Sequence, residues 1–160
     1  MDPALRERIY DYLESKGFRK TTQRDAIIRA AFSTNEHYTA EDLHVMAKKL
    51  DPSVSRATVY RTLPLLVESG VLKEMDFGKD YKFYDPNYVD HPNHNHLICL
   101  DCGKIVEFED VHIDTLEVCI SKRLGFSPTA KVVRIEAHCD EFQRTSGSCA
   151  RRKVVVAAAQ

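Results

Sequence analysis

Ser55-Arg-Ala-Thr-Val-Tyr-Arg-Thr-Leu-Pro-Leu-Leu-Val-Glu-Ser-Gly70, with the Val71-Leu-Lys-Glu-Met-Asp-Phe77 that follows, decides how the first half of this chain reads. Ser55 is a favoured N-cap type, Val59, Leu63, Leu66 and Val67 recur on one helical face, and Gly70 is a helix terminator. At Val71 the period changes from helical to strand-like. Tyr81-Lys-Phe-Tyr84 reads as a second strand, after a turn at Gly78-Lys-Asp80.

Three helices are expected upstream. Asp2 caps the first, with Pro3 at its first position and Leu5, Ile9, Tyr12 and Leu13 on one side until Gly17. Thr22 opens the second, whose apolar side is Ile27, Ile28, Ala31 and Phe32. Thr39-Ala-Glu-Asp42 has the form of a capping box and starts the third, with Leu43, Met46, Ala47 and Leu50 inward and Pro52 as its stop. Helices followed by a small hairpin are the pattern of a winged helix.

The helix that starts at Arg56 carries the chemistry of this half. No acidic residue occurs from Pro52 to Val67. Arg56, Thr58, Tyr60, Arg61 and Thr62 fall off the apolar stripe, and they include the types that reach phosphates and base edges from a helix in the major groove. Arg19, Lys20 and Arg24, with Lys16, cluster around the first helix–helix turn, where they are expected to grip backbone phosphates. The competing reading makes all of these the solvated faces of an all-helical domain. Residues 1–80 hold thirteen basic and thirteen acidic side chains, and the whole chain carries a net charge of -1. Any DNA binding must therefore come from an asymmetric surface, and should weaken steeply with salt.

The second half differs in composition. All five cysteines lie there, at positions 99, 102, 119, 139 and 149. Pro86-Asn-Tyr-Val-Asp-His-Pro-Asn93 reads as a hinge. A strand around Leu97 and Ile98, a Cys-x-x-Cys turn, a strand from Lys104 to Phe108, a helix from Val111 to Leu124 closed by Gly125, and a strand around Val132, Val133 and Ile135 follow. The expected class is α+β. Residues 1–85 form a winged-helix DNA-binding domain, 86–93 a hinge, 94–150 a small α/β metal-binding domain, and 151–160 a tail.

Cys99-Leu-Asp-Cys102-Gly103 is a tight turn that brings two thiolates together. With Cys139 and Cys149, which nine residues separate, it makes the two pairs usual for structural zinc. The alternatives are a small buried residue for Cys139 and a free surface thiol for Cys149. Cys119 falls mid-helix and is expected in the core. His91, His94 and His96 form a second constellation, with His94 and His96 on one side of a strand and Glu107 on the next. Imidazoles with a carboxylate suit iron, manganese or zinc, whereas thiolates suit zinc. Two donor sets of different softness imply one permanent metal and one sensed metal.

Other classes fit less well. The chain has 160 residues, 43% of them apolar, enough for one domain or two small ones. No apolar run reaches the ~18 residues of a membrane span. The opening Met1-Asp-Pro-Ala-Leu-Arg-Glu-Arg lacks the apolar core of a signal peptide, so a cytoplasmic location is expected, where cysteines stay reduced. A zinc deaminase calls for His-x-Glu and Pro-Cys-x-x-Cys, which are absent. A thiol redox enzyme calls for Cys-x-x-Cys opening a helix, not joining two strands. A zinc-stabilised interaction module without DNA binding remains a rival.

Thr22-Gln-Arg24, Thr39-Ala-Glu-Asp-Leu43, Ala57-Thr-Val-Tyr-Arg-Thr-Leu63 and His94-Asn-His-Leu-Ile-Cys-Leu-Asp-Cys-Gly-Lys-Ile-Val-Glu-Phe108 together resemble the ferric uptake regulator family. The resemblance implies a homodimeric repressor, with residues 94–150 as its α/β dimerisation domain, whose metal-loaded form binds a palindromic double-stranded DNA operator. It implies that Tyr60 and Arg61 contact DNA, that His37, Asp85, His94, His96 and Glu107 hold a regulatory metal, and that Cys99, Cys102, Cys139 and Cys149 hold zinc. Fe(II) is the expected sensed metal, with Mn(II) or Zn(II) as alternatives. Peroxide-sensing members favour aspartate where Glu107 stands. The sequence departs from the family pattern in the long Cys139–Cys149 spacing, in a slightly longer hinge between Asp85 and His94, and at Asn93, Asn95, Asp114 and Lys131. Those four positions match a further metal site in many members, which is expected to be lost or altered here.

Overall fold

The computed structural model describes residues 1–89, 94–129, 131 and 133–140. The expectations for His91, Asn93, Val132, Cys149 and the tail lie outside the described residues. The chain divides into two compact units, Met1–Pro92 and Asn93–Gln160.

The first unit runs α1 (Pro3–Ser15), α2 (Thr22–Ala31), β1 (Tyr38–Thr39), α3 (Ala40–Leu50), α4 (Arg56–Glu68), β2 (Lys73–Met75) and β3 (Phe83–Asp85). Each helix starts where side-chain oxygens meet the otherwise unpaired first N–H groups. The Asp2 carboxylate accepts from Ala4 N, Thr21 Oγ1 from Arg24 N, and Ser55 Oγ from Thr58 N. Thr39 and Asp42 form a reciprocal capping box at α3. The apolar stripes then meet in one core built on Ile9, Leu13, Ile27, Ile28, Leu43, Val59, Leu63 and Leu66. Cutting one such leucine to alanine costs about 2–5 kcal/mol.

The wing differs in detail from expectation. Its strands are shorter, because Val71 and Leu72 are fully buried in the helical core before strand pairing begins. Phe83–Asp85 rather than Tyr81–Tyr84 forms the return strand. β1 completes a three-stranded antiparallel sheet of order β1-β3-β2. Two residues are too few to show a period, and Thr39 doubles as the α3 cap, so no local pattern marks this strand. Pro64 lies inside α4 and removes the N–H that would bond the Tyr60 carbonyl, yet the helix continues to Glu68. Buried Leu63, Leu65 and Leu66 on either side of it hold the helix to the core.

The second unit runs β4 (Asn95–Cys99), β5 (Ile105–Phe108), α5 (Val111–Arg123) and β6 (Arg134–Ala137). β4 and β5 form an antiparallel hairpin across the Cys99–Cys102 turn, and α5 is the crossover that brings β6 parallel to β4. Gly103 closes the cysteine turn at φ 72°, a region that an L side chain rarely adopts. Asp110 caps α5 by accepting from the His112 and Ile113 amides.

No residue of α5 is buried in the described chain. The expectation that Cys119 sits in the core is therefore wrong for the single chain: Cys119 is exposed. Its helix carries Leu116 at 60% exposure, and Leu124 and Phe126 just beyond are 66% and 71% exposed. Large apolar side chains exposed along one helix in this way mark a contact face. Among the described residues, no helix is long and apolar enough to cross a membrane.

Candidate functional site

α4 presents its polar side as a series of exposed groups. Arg56, Tyr60 and Arg61 are exposed, Tyr60 at 54%. Arg56 Nε lies 3.0 Å from Glu41 Oε2 on α3, and the Tyr60 hydroxyl donates to Glu41 Oε1 at 3.4 Å. Thr58 is half-buried and its hydroxyl donates to Gln23 Oε1 at 3.0 Å, joining α4 to α2. Thr62, expected off the apolar stripe, is fully buried and donates to the Thr58 carbonyl at 2.7 Å. A hydroxyl that bonds back to the preceding turn can sit in a core without an unmet donor.

The α1–α2 turn carries the other basic group. Lys20 Nζ stands 4.5 Å from the centroid of the Tyr10 ring, and Arg24 Cζ 5.3 Å from that of Phe18. Arg24 also donates to the Arg19 carbonyl. Arg19 and Lys20 are exposed and Arg24 is half-buried. The rings thus meet the charged ends themselves, as cation–π contacts.

His37 and Asp85 belong to the wing sheet. The β1–β3 register pairs Tyr38 with Tyr84, so one further step sets His37 opposite Asp85. Both are buried, at 2% and 0% exposure, and each offers a ligand atom within 4.8 Å of the other. Asp85 accepts from the Asn87 amide at 2.8 Å. Burial, with help from the Asp85 and Tyr84 charges, pushes the Tyr38 phenol far above its ordinary range, so it stays neutral beside the carboxylate.

In the second unit the β4–β5 register sets His96 opposite Glu107. His94, one residue ahead of β4, points to the same side. Its ring centroid is 4.6 Å from that of His96, and its Nε2 is 3.7 Å from Glu107 Oε1. The His94 side chain is only 5% exposed, and His96 is buried. His94 thus stands beside an imidazole and a carboxylate, and nitrogen and oxygen donors of these types suit a divalent first-row metal.

The cysteines form a separate group. β4 delivers Cys99 to the turn, where its Sγ accepts from the Cys102 amide at 3.4 Å. The parallel β4–β6 pairing sets Ala137 beside Cys99, and two residues later the Cys139 amide donates to Asp101 Oδ2 at 2.6 Å. Asp101 Oδ1 lies 3.0 Å from His138 Nδ1. The stretch that follows β6 is thus tied to the turn through Asp101. Paired thiol donors at a tight turn suit zinc.

Residues 15–136 match the ferric uptake regulator family model. The chain belongs to the ferric uptake regulator family. It is 34% identical over 154 residues to a ferric uptake regulation protein of Campylobacter jejuni, covering 95% of this chain and 92% of that one. A peroxide-responsive repressor, PerR, of Staphylococcus aureus is 34% identical over 131 residues, 82% of this chain and 86% of the relative. Among solved structures, the Helicobacter pylori ferric uptake regulator aligns with TM-score 0.78 at 24% identity, over 88% of this chain and 92% of that one, which speaks for the fold. Members of the family are transcriptional regulators, so the chain is a DNA-binding, metal-binding regulator and not an enzyme.

Two residues that the sequence reading did not single out gain a place as members of these groups. Glu41 looked like one more acidic residue at a helix start, and Asp101 like a turn filler. Both face across to another element, a relationship that no local pattern encodes. Lys131 is one of the four positions at which a further metal site is expected to be lost or altered. Here its ammonium bonds Asp114 and lies 3.3 Å from Glu117 Oε2, a fixed cation on two α5 carboxylates.

Proposed function

We propose that this ferric uptake regulator is an Fe(II)-sensing repressor of metal-uptake genes, active as a homodimer on a palindromic DNA operator. The observation that carries the proposal is the separation of two donor sets by softness. His94 stands beside both His96 and Glu107 on one side of the β4–β5 hairpin, while Cys99 and Cys102 share its turn and the Cys139 amide is tied to that turn through Asp101. Exchangeable Fe(II) favours the first set and permanent zinc the second. Cys149 is assigned to the zinc set from the family pattern.

Under this reading the regulatory metal also takes His37 and Asp85, the buried pair of the wing sheet. The support lies in each unit by itself: each supplies a cluster of nitrogen and oxygen donors, and one metal has use for both. Once bound, the metal supplies a divalent charge that both clusters prefer to have near them. A metal that binds one arrangement of the reading heads better than others shifts the population toward it. Arg56, Thr58, Tyr60 and Arg61 on α4 then meet the groove, and Arg19, Lys20 and Arg24 the flanking phosphates. The exposed apolar side of α5 supports the homodimer.

Sensing of Mn(II) or Zn(II) is the second reading, favoured by the likeness to a zinc-bound manganese uptake regulator, 28% identical with TM-score 0.68. Elemental analysis of the purified protein, paired with gel shifts in Fe(II), Mn(II) or Zn(II), tests both. The proposal expects about one zinc per chain and Fe(II)-dependent binding to fragments of the host genome. The absence of metal-dependent binding to any fragment overturns it.

A further inference from the structure

Glu41 sits in the first turn of α3 and takes no part in the Thr39–Asp42 capping box. Its two carboxylate oxygens are turned toward α4. One meets Arg56 Nε at 3.0 Å, and the other accepts from the Tyr60 hydroxyl at 3.4 Å. Arg56 and Tyr60 stand one helical turn apart, on the face that the proposed function gives to DNA. A single acidic side chain therefore occupies two DNA-facing groups at once.

We infer that Glu41 is a specificity-determining residue that competes with phosphate for Arg56 and Tyr60 and so suppresses sequence-independent DNA binding. The inference rests on the assignment of α4 as the reading helix.

The pair is poorly suited to holding the fold. The Arg56 and Glu41 side chains are 58% and 45% exposed, and ion pairs at such exposure add little to stability. Its effect on a polyanion is larger. Sequence-independent binding is almost wholly phosphate electrostatics, whereas sequence-specific binding adds fixed acceptors on base edges and positioned phosphates. A loosely seated α4 offers Arg56 a passing phosphate, against a carboxylate already in place. Arg56 then stays on Glu41, and that contact is forgone. A fully seated α4 surrounds Arg56 and Tyr60 with fixed acceptors, which displace Glu41. The carboxylate thus removes a contact from the wrong complexes and leaves the right one with its full number.

The test compares zinc-loaded, Mn(II)-supplemented wild-type and Glu41→Gln protein on two duplexes. One is selected from a randomised pool by the wild-type protein, and the other is a scrambled duplex of the same composition. Binding is followed by fluorescence anisotropy against salt. Glu41→Gln keeps the shape and the capping box but removes the charge. It is expected to bind the scrambled duplex about 5- to 10-fold more tightly at low salt. The slope of log affinity against log salt should steepen by about 0.9, the signature of one added phosphate contact. The slope on the selected duplex should stay unchanged. In an Arg56→Gln background the Glu41→Gln gain should vanish, because the two groups act through each other. An unchanged slope on the scrambled duplex, an equal gain on both duplexes, or a gain that survives in the Arg56→Gln background overturns the inference alone. A wild-type protein that binds neither duplex overturns the reading helix and this inference with it.

Discussion

The Cys139 main-chain N–H donates to the Asp101 carboxylate at 2.6 Å, which ties the end of β6 to the turn that carries Cys99 and Cys102. The His138 hydrogen bond, followed by the Cys139 amide, holds the Asp101 carboxyl below the usual carboxylate range. Groups that orient metal ligands in this way govern affinity without touching the metal. Asp101→Ala is expected to release zinc to a chromogenic chelator about 10- to 100-fold more readily. Asp101→Asn, which keeps an oxygen for the Cys139 amide, should fall between it and the wild type. Wild-type zinc retention in Asp101→Ala would show that the tie does not hold the thiols.

Asp25 joins the first two helices. It accepts from Arg6 at 2.5 Å and from the Tyr10 hydroxyl at 2.6 Å. Partial burial opposes its ionisation, but those two bonds and the Arg6 and Arg29 charges outweigh the burial and lower its pKa. A carboxyl depressed in the folded state stabilises above its unfolded pKa, and that stability is lost as pH falls through the folded value. Tyr10 is the mirror case. Burial and the Asp25 bond push its phenol up to about 12, so its contribution is present below the ordinary tyrosine range and is lost as pH rises through about 12. Asp25→Ala should cost about 1–2 kcal/mol at neutral pH, after allowance for solvent screening, and should flatten the acid limb of the stability curve. Urea melts across pH check this, and a curve parallel to wild type below pH 5 counts against it.

The apolar side of α5 yields a prediction about assembly. Leu116, Leu124 and Phe126 are all more than half exposed in the single chain. Leu116→Glu buries a charge wherever a second copy covers this face, and a buried unpaired carboxylate is costly. Sedimentation should show the wild type as a dimer and Leu116→Glu shifted to monomer, with zinc retained. A Leu116→Glu protein that remains dimeric at low micromolar concentration would place the interface elsewhere.

Arg61 is exposed on α4 and, unlike Arg56, has no acidic partner in any ion pair among the described residues. Arg61→Ala should weaken binding to a selected duplex by about 1–3 kcal/mol if it reads a base, or reduce the salt slope by about 1 if it meets a phosphate. Metal content should not change. Wild-type affinity and slope together would remove Arg61 from the interface.

Much of the first unit was legible because its signals are local. Caps at Asp2, Thr39 and Ser55 and stripes such as Val59, Leu63 and Leu66 depend on neighbours within two helical turns. The short strand β1 and the burial of Val71 and Leu72 were not legible, since they depend on what folds over them. In the second unit the Cys-x-x-Cys hairpin was plain from its spacing. Cys119 was misplaced because an apolar helix face looks the same whether it meets a core or a partner. Glu41 and Asp101 were invisible for a related reason: their partners lie on other elements, 15 and 38 residues away for Arg56 and Cys139.

The central claim is that a metal held through the β4–β5 histidines switches DNA binding. Anaerobic anisotropy titrations of zinc-loaded wild-type and His96→Ala protein on a selected duplex, with and without Fe(II), test it most directly. The account predicts that Fe(II) tightens wild-type binding about 5- to 150-fold, the usual range of coupling between two sites. His96→Ala should remain a folded, zinc-loaded dimer that binds equally weakly with and without Fe(II). An Fe(II) response in His96→Ala equal to that of the wild type would contradict the account.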